Sequence, residues 1–104
     1  MKWLTQKRDD VTLEMEVIKF LRSKDNGAGV TATAIASGLD EDIDVIAPIL
    51  MKLLLNRNAW IETWGGRLSG HCLVCWHYGT DNPYPYTLSM DYKVASKNLK
   101  NTVY

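Results

Sequence analysis

The chain has 104 residues, 46% hydrophobic and 23% charged, with 12 basic against 12 acidic side chains and a formal net charge of zero. That length gives one domain with a real but modest core. No apolar run approaches the ~18–20 residues that span a bilayer, the opening MKWLTQKRDD lacks the apolar segment of a secretory signal, and two cysteines make no disulfide framework. A cytoplasmic protein with no membrane contact is expected.

Charge is unevenly placed. Lys2, Lys7 and Arg8 make residues 1–8 a basic arm, and Lys93, Lys97 and Lys100 make the far end basic. Between them, Asp40, Glu41, Asp42 and Asp44 form an acidic cluster.

Residues 10–24 are predicted to be the first helix. Asp9, Asp10 or Thr12 can cap it, Glu14 and Glu16 complement the dipole at its start, and Leu13, Val17, Phe20 and Leu21 form the buried stripe. Asp25-Asn26-Gly27 stops it. Gly29-Val30 suits a one-bridge strand, and a short helix follows, capped by Thr31 or Thr33, with Ile35, Ala36 and Leu39 inward and Gly38 at its end. Ala36 is small enough to let two helices cross closely.

The segment Asp40–Ile61 organises the rest. Ile43, Ile46, Leu50 and Leu53 fall on one side of a third helix. Pro48 lies within it, so the helix is either kinked there or begins there; one kinked helix is the expectation. After the polar break at Asn56–Asn58 the period changes to two. Trp60–Trp64 reads as a strand, 65–70 as a Gly-rich turn, and His71–Tyr78 as the return strand, with Cys72, Val74, Trp76 and Tyr78 on one face and His71, Leu73, Cys75 and His77 on the other. Pro83 and Pro85 break regular structure. The tail has a faint helical stripe in Met90, Val94 and Leu99 and is not expected to pack.

Three possible chemistries fall on the hairpin. His71, Cys72, Cys75 and His77 are metal-ligand types, but a strand points Cys72 and Cys75 to opposite faces, and one extended segment cannot supply a tetrahedral site. A Cys–His nucleophile lacks a recognisable orienting acid or oxyanion device. No metal, cofactor or enzymatic activity is expected. The clustered aromatics Trp60, Trp64, Trp76, Tyr78, Tyr84 and Tyr86 could stack on bases, yet filling the core and covering the sheet is the commoner use.

The Thr-x-x-x-Ile-Ala-x-x-Leu pattern from Thr31 to Leu39, the longer helix ending Leu-Leu-Leu-Asn-Arg-Asn-Ala, and Trp-Ile-Glu opening a Gly-bounded hairpin resemble small winged helix-turn-helix regulators of pilus operons, phages and plasmids, over about residues 12–79. The resemblance implies an α+β fold with three helices packed on a small antiparallel hairpin sheet: a basic arm at 1–8, the winged-helix domain at 9–79 and a tail at 80–104, with at most a short helix. It implies a transcriptional regulator that binds double-stranded DNA as a dimer. The third helix would enter the major groove and the wing would touch the backbone, through Thr31, Thr33, Lys52, Asn56 and Arg67, with Arg57 and the basic ends adding contacts.

The outer face of the third helix departs from that pattern. It offers Glu41 and Asp44, then Pro48, Met51 and Leu55, where a groove-reading helix offers Arg, Lys, Asn or Gln. Asp44, Pro48, Met51 and Leu55 suit a protein interface better. A second expectation is therefore a winged-helix module for dimerisation or adaptor contacts.

Overall fold

Asp9 begins the first helix by accepting a 2.7 Å hydrogen bond from the Thr12 amide, leaving α1 at Asp10–Lys24 with Leu13, Val17 and Leu21 buried. The computed structural model describes residues 9–67 and 71–101, apart from the side chains of Gly66 and His71. The N-terminal arm with Lys2, Lys7 and Arg8 and the tip of the hairpin turn lie outside the described residues.

A two-residue strand, β1 (Val30–Thr31), leads into α2 (Ala32–Gly38), whose cap is Thr31, accepting from the Ala34 amide at 3.2 Å. Gly38 ends α2 as expected, but for a packing reason: a Cβ there would lie 2.2 Å from the Phe20 ring. The left-handed residue is Asp40, at φ 54°. It closes a Schellman motif in which the Asp40 amide donates to Ser37 O and the Glu41 amide to Ala36 O.

The third helix, α3 (Ile43–Leu55), starts within the acidic cluster, with Asp42 as its cap and Asp44 in its first turn. It runs through Pro48 as one element and buries Ile46, Leu50, Met51, Leu53 and Leu54. Its end repeats the same motif with Arg57 at φ 60°: the Arg57 amide donates to Leu54 O and the Asn58 amide to Leu53 O.

Strands β2 (Ala59–Gly66) and β3 (His71–Tyr78) pair antiparallel with Trp60 opposite His77, Glu62 opposite Cys75 and Trp64 opposite Leu73. β1 pairs with β3 on its other side, giving a three-stranded antiparallel sheet in the order β1-β3-β2. Cys72, Val74 and Trp76 enter the core as the alternation requires. Of the described aromatics, only Trp76 is fully buried; Trp64, Tyr78, Tyr84 and Tyr86 remain exposed.

The tail is the main correction. Leu88–Asn98 is a fourth helix, α4, capped by Thr87, and it packs on α3 and β3 with Val94, Ala95, Asp91 and Asn98 buried. Among the described residues the fold is therefore α+β with four helices, not three, and three strands. Asn98 and Asn101 serve the edge of β3 that the short β1 leaves uncovered. The Cys72 amide donates to Asn98 Oδ1 at 3.2 Å, and Asn101 Nδ2 donates to the Cys72 carbonyl at 3.0 Å. Two side chains thus do what a neighbouring strand would do. Among the described residues, no helix is long and apolar enough to cross a membrane.

Candidate functional site

Packing decides which side of α3 faces outward. α1, α2 and α4 all lie against it, and the turns left over carry Asp44, Val45, Pro48, Lys52 and Leu55, all exposed. Leu55 keeps 50% of its surface. Met51, expected on this outer strip, is instead buried in the core cluster with Val94 and Ala95, because α4 covers that flank.

The outer strip continues onto α1. Lys52 Nζ reaches Glu14 Oε1 at 2.9 Å and joins the two helices edge to edge. Hydrogen bonding to Glu14, followed by its charge, raises the lysine's pKa. Pro48 and Leu55 lie one turn before and after Lys52, and Val11 lies one turn before Glu14. Val11 is 70% exposed and Met15, beside Glu14, 55%. On the other border Lys100 Nζ lies 3.4 Å from Asp44 Oδ1. The result is an apolar surface of Val11, Met15, Val45, Pro48 and Leu55, crossed and bordered by ion pairs of opposite sign.

The residues expected to touch DNA are mostly committed elsewhere. Thr31 caps α2, and its Oγ1 lies 3.2 Å from Thr33 Oγ1. Lys52 is held by Glu14. Asn56 is the exposed C-cap of α3, and Arg57 is exposed but sits in the left-handed turn, lining a groove with Trp60, Asn82 and Tyr86. Arg67 does not project from the hairpin. Its guanidinium is ion-paired to Asp91 of α4, donates to Thr63 Oγ1 at 3.1 Å, and lies 3.8 Å from the Tyr86 ring centroid. With side chains 11% and 3% exposed, this pair is a clamp between hairpin and α4. A phosphate could reach Arg67 only by breaking it.

A second polar cluster lies on the outer face of the sheet. His77 is buried with Nδ1 2.7 Å from Asp25 Oδ2 and Nε2 3.1 Å from Glu62 Oε1. Its ring stacks on Trp60 with centroids 4.0 Å apart and planes within 8°. The Asp25 carboxylate also accepts from the Gly27 and Gly29 amides at 2.9 and 3.0 Å. Burial pushes its pKa up, but those amides and His77 outweigh burial and leave it lowered. Both ring nitrogens face carboxylates, so neither is left for a metal or a substrate. Burial, then Glu62 and Asp25, raises the neighbouring Cys75 thiol, which keeps it unreactive. The cluster ties the α1–β1 loop to β2 and β3.

No local spacing announces this cluster, since its partners Asp25 and His77 lie 52 residues apart. The exposed Val11 and Met15 were readable as positions off the Leu13/Val17/Leu21 stripe. Compared with protein-family models, with curated proteins and with solved structures, the chain matches none.

Proposed function

We propose that the protein is a winged-helix-type interaction module that docks another polypeptide on the joined outer faces of α1 and α3, in place of reading DNA with α3. The order of helix, short strand, two helices and hairpin supports the winged-helix reading. The observation that carries the function is the exposure of Val11 and Met15 on α1 and of Val45, Pro48 and Leu55 on α3, two helices joined by the Lys52–Glu14 ion pair, at the place where a DNA reader carries cations. The lysines bordering these residues, Lys52 and Lys100, are engaged by Glu14 and Asp44.

Site-specific photocrosslinking in the expressing cell tests this. A benzophenone side chain at position 55 should give covalent adducts with polypeptide, while one at the exposed Lys97 position of α4 should not. Equal yields from both positions, or none from position 55, overturn the docking function.

Lys93 and Lys97, exposed one turn apart on α4, favour a second reading in which duplex DNA is held by its backbone. That reading requires retardation of duplex DNA at low salt that fades steeply as salt rises and is lost in Lys93→Ala/Lys97→Ala. No retardation at low salt removes it.

A further inference from the structure

We propose that the groove at the C-terminal end of α3 binds a small aromatic carboxylate, with Arg57 holding the acid group. This groove has a volume of about 70 Å³ and lies between the end of α3, the start of β2 and the 79–88 segment. It shares no residue with the α1/α3 docking face. Its charge selects an anion. Asp91 lines the groove with its charge already met by Arg67, whereas among the described residues no ion pair or hydrogen bond engages the exposed Arg57 guanidinium. The other polar side chains can donate: the Thr80 hydroxyl, and the Asn82 amide nitrogen, since Asn82 Oδ1 already accepts from the Tyr84 amide at 2.9 Å. One guanidinium beside neutral donors matches a monoanion, and its planar fork matches a carboxylate.

The remaining lining selects a ring. Trp60 and Tyr86 line the groove together with Leu54 and Leu88. Trp60 is stacked on His77 with centroids 4.0 Å apart, and Tyr86 lies 3.8 Å from the Arg67 guanidinium. Both aromatic side chains are thus held before a ligand arrives, which spares the cost of ordering them on binding. At roughly 10–15 Å³ per water, the volume accommodates about five waters, the bulk of one six-membered ring with a short acid arm. Arg57 also stands where a side chain is costly. At φ 60° it occupies the left-handed position of the Schellman motif, which glycine fills without strain. A guanidinium carried at the expense of stability is the trade expected of a binding residue.

Proton–nitrogen NMR titration of the full chain with phenylacetate, to about 30 mM, tests the site. Phenylacetamide, which lacks the charge, and acetate, which lacks the ring, are the controls. The amides of Trp60, Thr80, Asn82 and Tyr86 should shift together on phenylacetate with a Kd in the millimolar range. Both controls should bind about tenfold more weakly or less. Arg57→Gly, which relieves the left-handed strain and so keeps the fold, and Arg57→Gln should each weaken phenylacetate by about tenfold or more. Lys93→Gln, at an exposed cation on α4, should leave it unchanged. No shift at these four amides, equal binding of either control, or undiminished binding by both Arg57 variants overturns the site.

Discussion

Gly29 offers the sharpest test of how the loop after α1 is held to the sheet. It sits at φ +84°, and a Cβ there would fall 2.7 Å from Cys75 Cβ and 2.8 Å from His77 Nε2. Neither neighbour can retreat easily: the Cys75 Cβ is fixed to β3, and His77 is held by Asp25, Glu62 and Trp60. Gly27, in the same loop at φ +101°, has nothing within 4 Å of its would-be Cβ. Alanine at either position meets left-handed strain of about 1–2 kcal/mol, partly offset by the reduced entropy of the unfolded chain. Gly29→Ala adds overpacking against a fixed neighbour, about 1–3 kcal/mol more. For a chain of this size that difference corresponds to roughly 4–20 °C in melting temperature. Urea and thermal unfolding followed by tryptophan fluorescence and circular dichroism measure both variants against wild type. Equal losses at the two positions would refute the close approach of this loop to Cys75 and His77.

Four further outcomes are expected. Asp25 has a lowered pKa in the fold, so it adds stability above the ordinary carboxylate range that is lost as pH falls through its folded value. Wild type should lose more stability than Asp25→Asn between about pH 4 and pH 2, as acid titration followed by circular dichroism will record. Asp91→Asn strands the nearly buried Arg67 guanidinium and should cost about 3–5 kcal/mol in urea unfolding, with Arg67→Met/Asp91→Leu losing less. Asn98→Ala leaves the Cys72 amide without its acceptor and should cost about 1–3 kcal/mol, with faster hydrogen exchange at Cys72. Arg57→Gly relieves left-handed strain at the end of α3 and should raise stability by about 1 kcal/mol, read as a higher urea midpoint.

Helical periodicity and strand alternation carried much of the fold. Leu13, Val17 and Leu21 marked α1, Ile46, Leu50 and Leu53 marked α3, and the glycines between two β-rich runs marked the hairpin. These signals are local, because each depends on residues within a turn or two of one another. α4 was not legible in the same way. Two of its buried positions are Asp91 and Asn98, which look like solvent-facing residues until Arg67 and the Cys72 amide, 24 and 26 residues away, are brought to them. Leaving the tail unpacked also misplaced Met51, since nothing in α3 itself reveals that a later helix covers that flank. Arg67 shows the same limit in reverse. Its type and its place beside a glycine turn suit a DNA contact, and only the fold brings Asp91 and Tyr86 to it. The departure of α3 from a groove-reading surface was legible, because Asp44, Pro48 and Leu55 lie on an outer strip fixed by the core positions opposite.

Hydroxyl-radical footprinting of the protein, purified and then in lysate of the expressing cell, tests the docking face most directly. Met15 and Leu55 should be oxidised readily in the purified sample and shielded in the lysate, while the exposed Trp64 on the hairpin and Met90 on α4 react equally in both. Shielding of Trp64 or Met90 with Met15 and Leu55 unchanged would contradict a docking surface on α1 and α3.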